Sequence, residues 1–142
     1  VRSSAASDVY KRQMYTEPAE ALAFARESGC DALAVAIGTA HGVYAKTPKL
    51  DLERLRAIAA VCPCPLVLHG GSGLSPEAFR ACIDGGISKV NIFTHNNLAA
   101  ARAAHAHFSE NTGAFELMPH IVEAVRQETM RHIRIFRSDG RA

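Results

Sequence analysis

No stretch of this sequence is basic enough to track a phosphate backbone or an anionic membrane. Its 16 lysines and arginines are nearly matched by 14 acidic residues, for a formal net charge of +2. No apolar run approaches the roughly 20 residues that a membrane-crossing helix needs. No segment joins a charged start to an apolar middle as a secretory signal does, so a cytoplasmic protein is expected. The four cysteines, Cys30, Cys62, Cys64 and Cys82, contain no C-x-x-C pair, and Cys62-Pro63-Cys64 is too tight for ordinary zinc spacing. They are expected to be reduced, buried, small apolar residues. A G-x-G-x-x-G run is also missing, which argues against a dinucleotide-binding sheet.

What remains is ordinary globular composition, 48% hydrophobic. Residues 1–13, VRSSAASDVYKRQ, have no apolar period, and Asp8 to Gln13 resemble the translation of a transposon-end adapter used in sequencing libraries. This tail is expected to be non-native and is set apart from residues 14–142. On that expectation the gene continued upstream and the chain is truncated.

From Thr16 on, helix and strand signals alternate. Thr16 is expected to cap a helix starting at Glu17-Pro18, with Leu22, Phe24 and Ala25 on its apolar face and Gly29 at its end. Ala32 to Ile37 is apolar at every position, as in a parallel strand covered on both faces. Asp51 caps a helix over Leu52 to Ala60, and Pro65 to Leu68 is a second short buried strand. Ser75-Pro76 starts a helix that turns Phe79, Cys82 and Ile83 inward and ends at Gly85-Gly86, and Lys89 to Phe93 is a third strand. Two more helices are expected, at about Asn97 to Ser109 and Pro119 to Phe136. Such alternation implies a parallel α/β sheet, either open and doubly wound or part of a (β/α)8 barrel. A whole barrel needs roughly 250 residues, about twice what is here.

In parallel βα folds the chemistry lies at the C-terminal strand ends. Those ends read Gly38-Thr39-Ala40-His41-Gly42, then His69-Gly70-Gly71-Ser72-Gly73, then Asn91-Ile92-Phe93-Thr94. Neutral imidazole is a good zinc ligand, and adjacent strands lie only about 5 Å apart, so His41 and His69 can share one metal ion. The plainer alternative is two hydrogen-bonded histidines at strand ends. A catalytic zinc needs a third protein ligand, which this sequence does not supply. Gly70, Gly71 and Ser72, ahead of the Pro76 helix, form a candidate phosphate cradle, with Asn91 and Thr94 adding polar groups at the next strand end.

These three segments, with Tyr15-Thr16-Glu17-Pro18 and the terminal Ser138-Asp139-Gly140-Arg141-Ala142, resemble the class II ketose-bisphosphate aldolases, which include the fructose- and tagatose-bisphosphate enzymes. The resemblance covers residues 14–142 and implies the C-terminal part of a (β/α)8 TIM barrel: about three βα units plus C-terminal helices. It implies a cytoplasmic, homo-oligomeric lyase, a dimer or tetramer when full length. Its Zn2+ would be held in part by His41 and His69, with a monovalent cation, Na+ or K+, near the phosphate. Gly42 would contact the dihydroxyacetone-phosphate end of a phosphorylated sugar, and Gly70, Gly71, Ser72, Asn91, Ile92, Phe93 and Thr94 would bind its phosphate. The zinc would act as Lewis acid on the ketone during aldol cleavage to dihydroxyacetone phosphate and glyceraldehyde 3-phosphate. No catalytic residue is identified here, because the family takes another zinc histidine and its proton-transferring aspartate from the N-terminal half of the barrel. The sequence departs from the family at Phe93, where Asp or Ala is common, and at Phe115 to Pro119, which lacks an arginine often used for a second phosphate. A metal-independent sugar-phosphate enzyme, or an inactive fragment, are the competing expectations. The remaining histidines, His95, His105, His107, His120 and His132, are expected to have surface or interface roles.

Overall fold

The structure, a computed structural model, describes residues 15–39 and 48–141. It divides into two units, one ending at Asn91 and one starting at Ile92.

The first unit alternates helix and strand: α1 (Pro18–Ser28), β1 (Leu33–Ala34), α2 (Leu52–Val61), β2 (Leu66–Leu68), α3 (Pro76–Asp84) and β3 (Ile87–Val90). The strands form a parallel sheet in chain order, β1-β2-β3. Leu33 sits opposite Leu66 and Ala34 opposite Val67, while Leu68 faces Val90. Three expected helix ends are where the sequence places them. Asp51 accepts from the Arg54 amide at 2.9 Å, and Ser75 accepts from the Ala78 amide at 3.2 Å. Gly29 closes α1 in the left-handed region at φ 62°. The core is built from Ile37, Leu55, Ile58, Leu66, Leu68, Phe79 and Cys82, all fully buried. Each large apolar side chain so removed from water contributes roughly 1.5–3 kcal/mol before entropy is counted.

Several expectations need correction. Thr16 does not cap α1: Glu17 occupies the N-cap without a side-chain bond. Instead the Ala36 amide donates to Thr16 Oγ1 at 2.9 Å, and the Thr16 amide donates to the Ala36 carbonyl at 2.9 Å. The hydroxyl thus serves the backbone beyond β1. The first strand spans only Leu33–Ala34; the Val35 amide still donates to the Val67 carbonyl at 3.4 Å before Ala36 turns to Thr16. Phe24 is 56% exposed, and the helix buries Ala21 and Ala25 instead. One residue is about 100° of helix rotation, so Phe24 cannot share the Ala25 face fully. The third strand begins earlier than expected, at Ile87, which is buried opposite Leu66. It stops at Val90, although the Asn91 amide still donates to the Leu68 carbonyl at 3.0 Å.

The second unit is a helical pair, α4 (Thr94–His107) and α5 (Ala114–Ile135). Both start earlier than expected. Pro119 lies inside α5, where its missing N–H removes one backbone bond. After α5 the Ser138 amide donates to the Ile133 carbonyl at 3.0 Å and Arg137 to Arg134 at 3.1 Å, with Arg137 left-handed at φ 58°. That pattern is a Schellman stop built on an arginine. Phe93, Phe108 and Phe115 are largely exposed. Among the described residues no helix is long and apolar enough to cross a membrane.

Candidate functional site

The end of β2 is the centre of the candidate site. Leu66, Val67 and Leu68 are all buried, and the next residue, His69, emerges exposed. Gly70 turns the chain at φ 68°, a region that only glycine enters freely. Gly71 and Ser72 are buried. A Cβ on Gly71 would come within 2.8 Å of Phe79 Cε1, so this glycine lets the loop close over the α3 core. The Leu74 amide then donates to the Gly71 carbonyl at 3.1 Å, and Ser75 begins α3. The Gly-Gly-Ser-Gly run is therefore a tight strand-to-helix turn with a helix N-terminus behind it, a geometry that suits anions.

One strand over, Asn91 follows β3. Its Nδ2 lies 2.7 Å from His69 Nε2 and 3.4 Å from Nδ1. The Lys89 ammonium donates to the opposite end of the amide, Asn91 Oδ1. An ammonium can only donate, so it fixes the amide with oxygen toward Lys89 and nitrogen toward the imidazole. A cavity of about 240 Å³ opens beside these residues, lined by Ala34, Val35, Ala36, Thr39, His69 and Gly70. That is slightly below the roughly 300 Å³ at which drug-sized pockets begin.

His69, Gly70, Gly71, Ser72 and Asn91 thus belong to the first unit, and His69 and Asn91 are in contact. Ile92, Phe93 and Thr94 belong to the second. Phe93 is 75% exposed and precedes α4 without a side-chain cap, and Thr94 is the first residue of that helix. His41 and Gly42 lie outside the described residues. His69 is an imidazole donor at a strand end and fits zinc by donor chemistry. Of the residues expected to form the phosphate cradle, Gly70, Gly71 and Ser72 are buried.

The second unit holds a group of side chains that includes two of the histidines expected to have surface or interface roles, His95 and His132. His132 is only 3% exposed. Its Nδ1 donates to the Glu128 carbonyl at 2.9 Å, and its Nε2 lies 3.0 Å from His95 Nδ1. Burial, then the neighbouring His132, lowers the His95 pKa below the ordinary histidine value. His95, Glu128 and His132 each bring one possible ligand atom within 4.8 Å of the others. Glu128 and His132 are four apart on α5, a one-face spacing that was legible; their meeting with His95 was not. His107 and His120 stack with ring centroids 3.6 Å apart, consistent with the exposed placing expected for them.

Residues 2–141 match the family of class-II fructose-bisphosphate aldolases. Among solved structures the chain is similar to the YdjI aldolase from Escherichia coli K12, at 38% identity and a TM-score of 0.83, over 90% of this chain and 48% of that one. It is similar also to a candidate fructose-1,6-bisphosphate aldolase from Coccidioides immitis, at 28% identity and a TM-score of 0.83, over 89% and 45% of the two chains. A fructose-bisphosphate aldolase from Campylobacter jejuni shares the fold at 16% identity and a TM-score of 0.70, over 88% and 45%. The chain therefore spans about half the length of these relatives, and its α/β fold is part of a TIM barrel.

Proposed function

The chain belongs to the class-II fructose-bisphosphate aldolase family, and we propose that it carries the phosphate-binding part and some of the metal ligands of a zinc-dependent aldolase. In the full-length protein that enzyme interconverts a ketose phosphate or bisphosphate with dihydroxyacetone phosphate and an aldehyde such as glyceraldehyde 3-phosphate. The observation that carries this proposal is the meeting of His69 and Asn91 at neighbouring strand ends, beside the cavity that His69 and Gly70 line.

His41 and His69 would hold the zinc, which when bound supplies the Lewis acidity that polarises the substrate's ketone oxygen. The other roles follow from this chain's own groups. Gly70, Gly71 and Ser72 offer a narrow turn in which backbone N–H groups and one hydroxyl receive the phosphate. By resemblance to the family, Asn91, Ile92, Phe93 and Thr94 would also bind the phosphate, and Gly42 would contact the dihydroxyacetone-phosphate end. Holding the phosphate fixes the ketone in one place, which converts binding into orientation. By resemblance to the family, a monovalent cation, Na+ or K+, would accompany the phosphate. The proton-transferring aspartate and a further zinc ligand come from the other half of the barrel. The working enzyme is a cytoplasmic homo-oligomer.

The full-length protein tests this directly. Purified enzyme should contain zinc, lose aldol cleavage with a chelator, and regain it on adding Zn2+. Full activity in zinc-free enzyme would exclude the mechanism and favour a metal-independent sugar-phosphate enzyme. The 142-residue chain alone is expected to be inactive and to self-associate through its unpaired sheet edges; cleavage of fructose 1,6-bisphosphate by it would refute that.

A further inference from the structure

Where α4 packs on α5, three side chains converge that the proposed aldolase site does not use. His95 Nδ1 and His132 Nε2 are 3.0 Å apart, and the two rings stack with centroids at 4.9 Å. Glu128, one helical turn before His132, places Oε1 3.4 Å from His132 Nδ1. His132 Nδ1 faces the Glu128 carbonyl, which can only accept, so the ring proton sits on Nδ1 and the Nε2 lone pair faces His95. Metal-bound histidines are commonly held in this way, one nitrogen on a carbonyl and the other on the ion.

The spacing suits an ion. Zinc sits about 2.0–2.1 Å from imidazole nitrogen, so two nitrogens 3.0 Å apart can share one ion. Two imidazoles and one carboxylate favour a borderline first-row cation over Mg2+ or Ca2+, which prefer all-oxygen shells. Glu128 is also bound by Arg131, whose Nη2 reaches Oε1 at 2.7 Å and whose Nε reaches Oε2 at 3.1 Å. A carboxylate has about four lone-pair sites, so one oxygen can serve both the guanidinium and an ion. Without metal the two rings simply share a hydrogen bond, His95 Nδ1–H donating to His132 Nε2.

We propose that His95, Glu128 and His132 form a binding site for a divalent cation of the zinc type, using neither His41 nor His69. Three protein ligands leave a fourth position for water. His95 is the second residue of α4, and its partners lie 33 and 37 positions further on, so a bound ion clips the start of one helix to the last turns of the next. Binding the folded state alone would stabilise this helical pair by mass action.

The test uses the full-length protein carrying His41→Gln and His69→Gln, so that its outcome is independent of the proposed aldolase zinc. Equilibrium dialysis against Zn2+ is expected to give one bound equivalent. Co2+ should give the intense visible absorption of a low-coordinate site. Adding His132→Gln or His95→Gln should weaken Zn2+ by about tenfold or more. Circular dichroism checks that each variant keeps its helices. If His132→Gln, at a buried position, unfolds, the more accessible His95→Gln decides alone. No Zn2+ uptake, or uptake unchanged by His95→Gln, overturns the proposal and leaves a plain histidine–histidine hydrogen bond.

Discussion

Asn91 Nδ2 points at His69 Nε2 from 2.7 Å, and the amide is held that way by Lys89 at its other end. The amide donates, so Nε2 must present its lone pair and the imidazole proton must sit on Nδ1. Zinc bound at Nε2 would compete for that lone pair. Zinc bound at Nδ1 would leave a proton on Nε2, facing a second donor. Either way, loading the metal requires Asn91 to turn or leave. Asn91→Ala in the full-length enzyme is therefore expected to raise KM for phosphorylated substrate while leaving zinc affinity unchanged or tighter. Zinc affinity measured by chelator competition checks this. A tenfold weakening would show that Asn91 supports the ligand instead of opposing it.

Gly71→Ala should destabilise the first unit by about 1–3 kcal/mol, since its Cβ would meet the Phe79 ring edge at 2.8 Å in a filled core. Urea denaturation followed by circular dichroism reads this. Phe79→Leu in the same chain should recover part of the loss, because the smaller side chain yields space to the new methyl.

Asp51→Ala removes the cap of α2 and its bonds to Arg54, at a position that is partly solvated. A loss of roughly 1 kcal/mol is expected. The Arg54 amide, helped by the Arg54 guanidinium and opposed by partial burial, holds the Asp51 carboxyl below its ordinary value of 3.8. A depressed folded-state pKa stabilises above the unfolded pKa and is lost as pH falls through the folded one. Wild type should therefore lose more stability than Asp51→Ala on acidification below about pH 4. Equal pH slopes for the two would remove the cap as the cause.

Arg137→Gly should stabilise the end of α5, because Arg137 is the one non-glycine residue at positive φ among the described residues. Left-handed backbone disfavours an L side chain by about 1–2 kcal/mol, less the extra chain entropy that glycine brings to the unfolded state. A net gain of roughly 0.5–1 kcal/mol is expected by denaturation. A loss would mean the arginine side chain contributes more than its backbone strain removes.

The parts of the fold that read correctly from sequence were the local ones. Ser75, Asp51 and Gly29 act on backbone groups within four residues, so their types and positions suffice. Thr16 looked like the same signal, but its partner is Ala36, twenty residues away, and no local pattern carries that. The strand-end segments stood out because they are glycine-rich, polar breaks after buried runs, and His69 and Asn91 do meet. The contact itself depends on register between β2 and β3, which includes an irregularity at Leu66 and Val67. For His132 the sequence supports only a surface or interface role; its burial against His95 depends on how two helices pack, and α4 carries no strong apolar stripe that would announce it.

The order β1-β2-β3 follows the chain, so each strand binds only the unit that precedes or follows it. No strand is threaded between two others that come earlier. Cutting the chain between β1 and β2, or between β2 and β3, would bare one edge of β2, so the cover of each strand lies in its immediate neighbour along the chain.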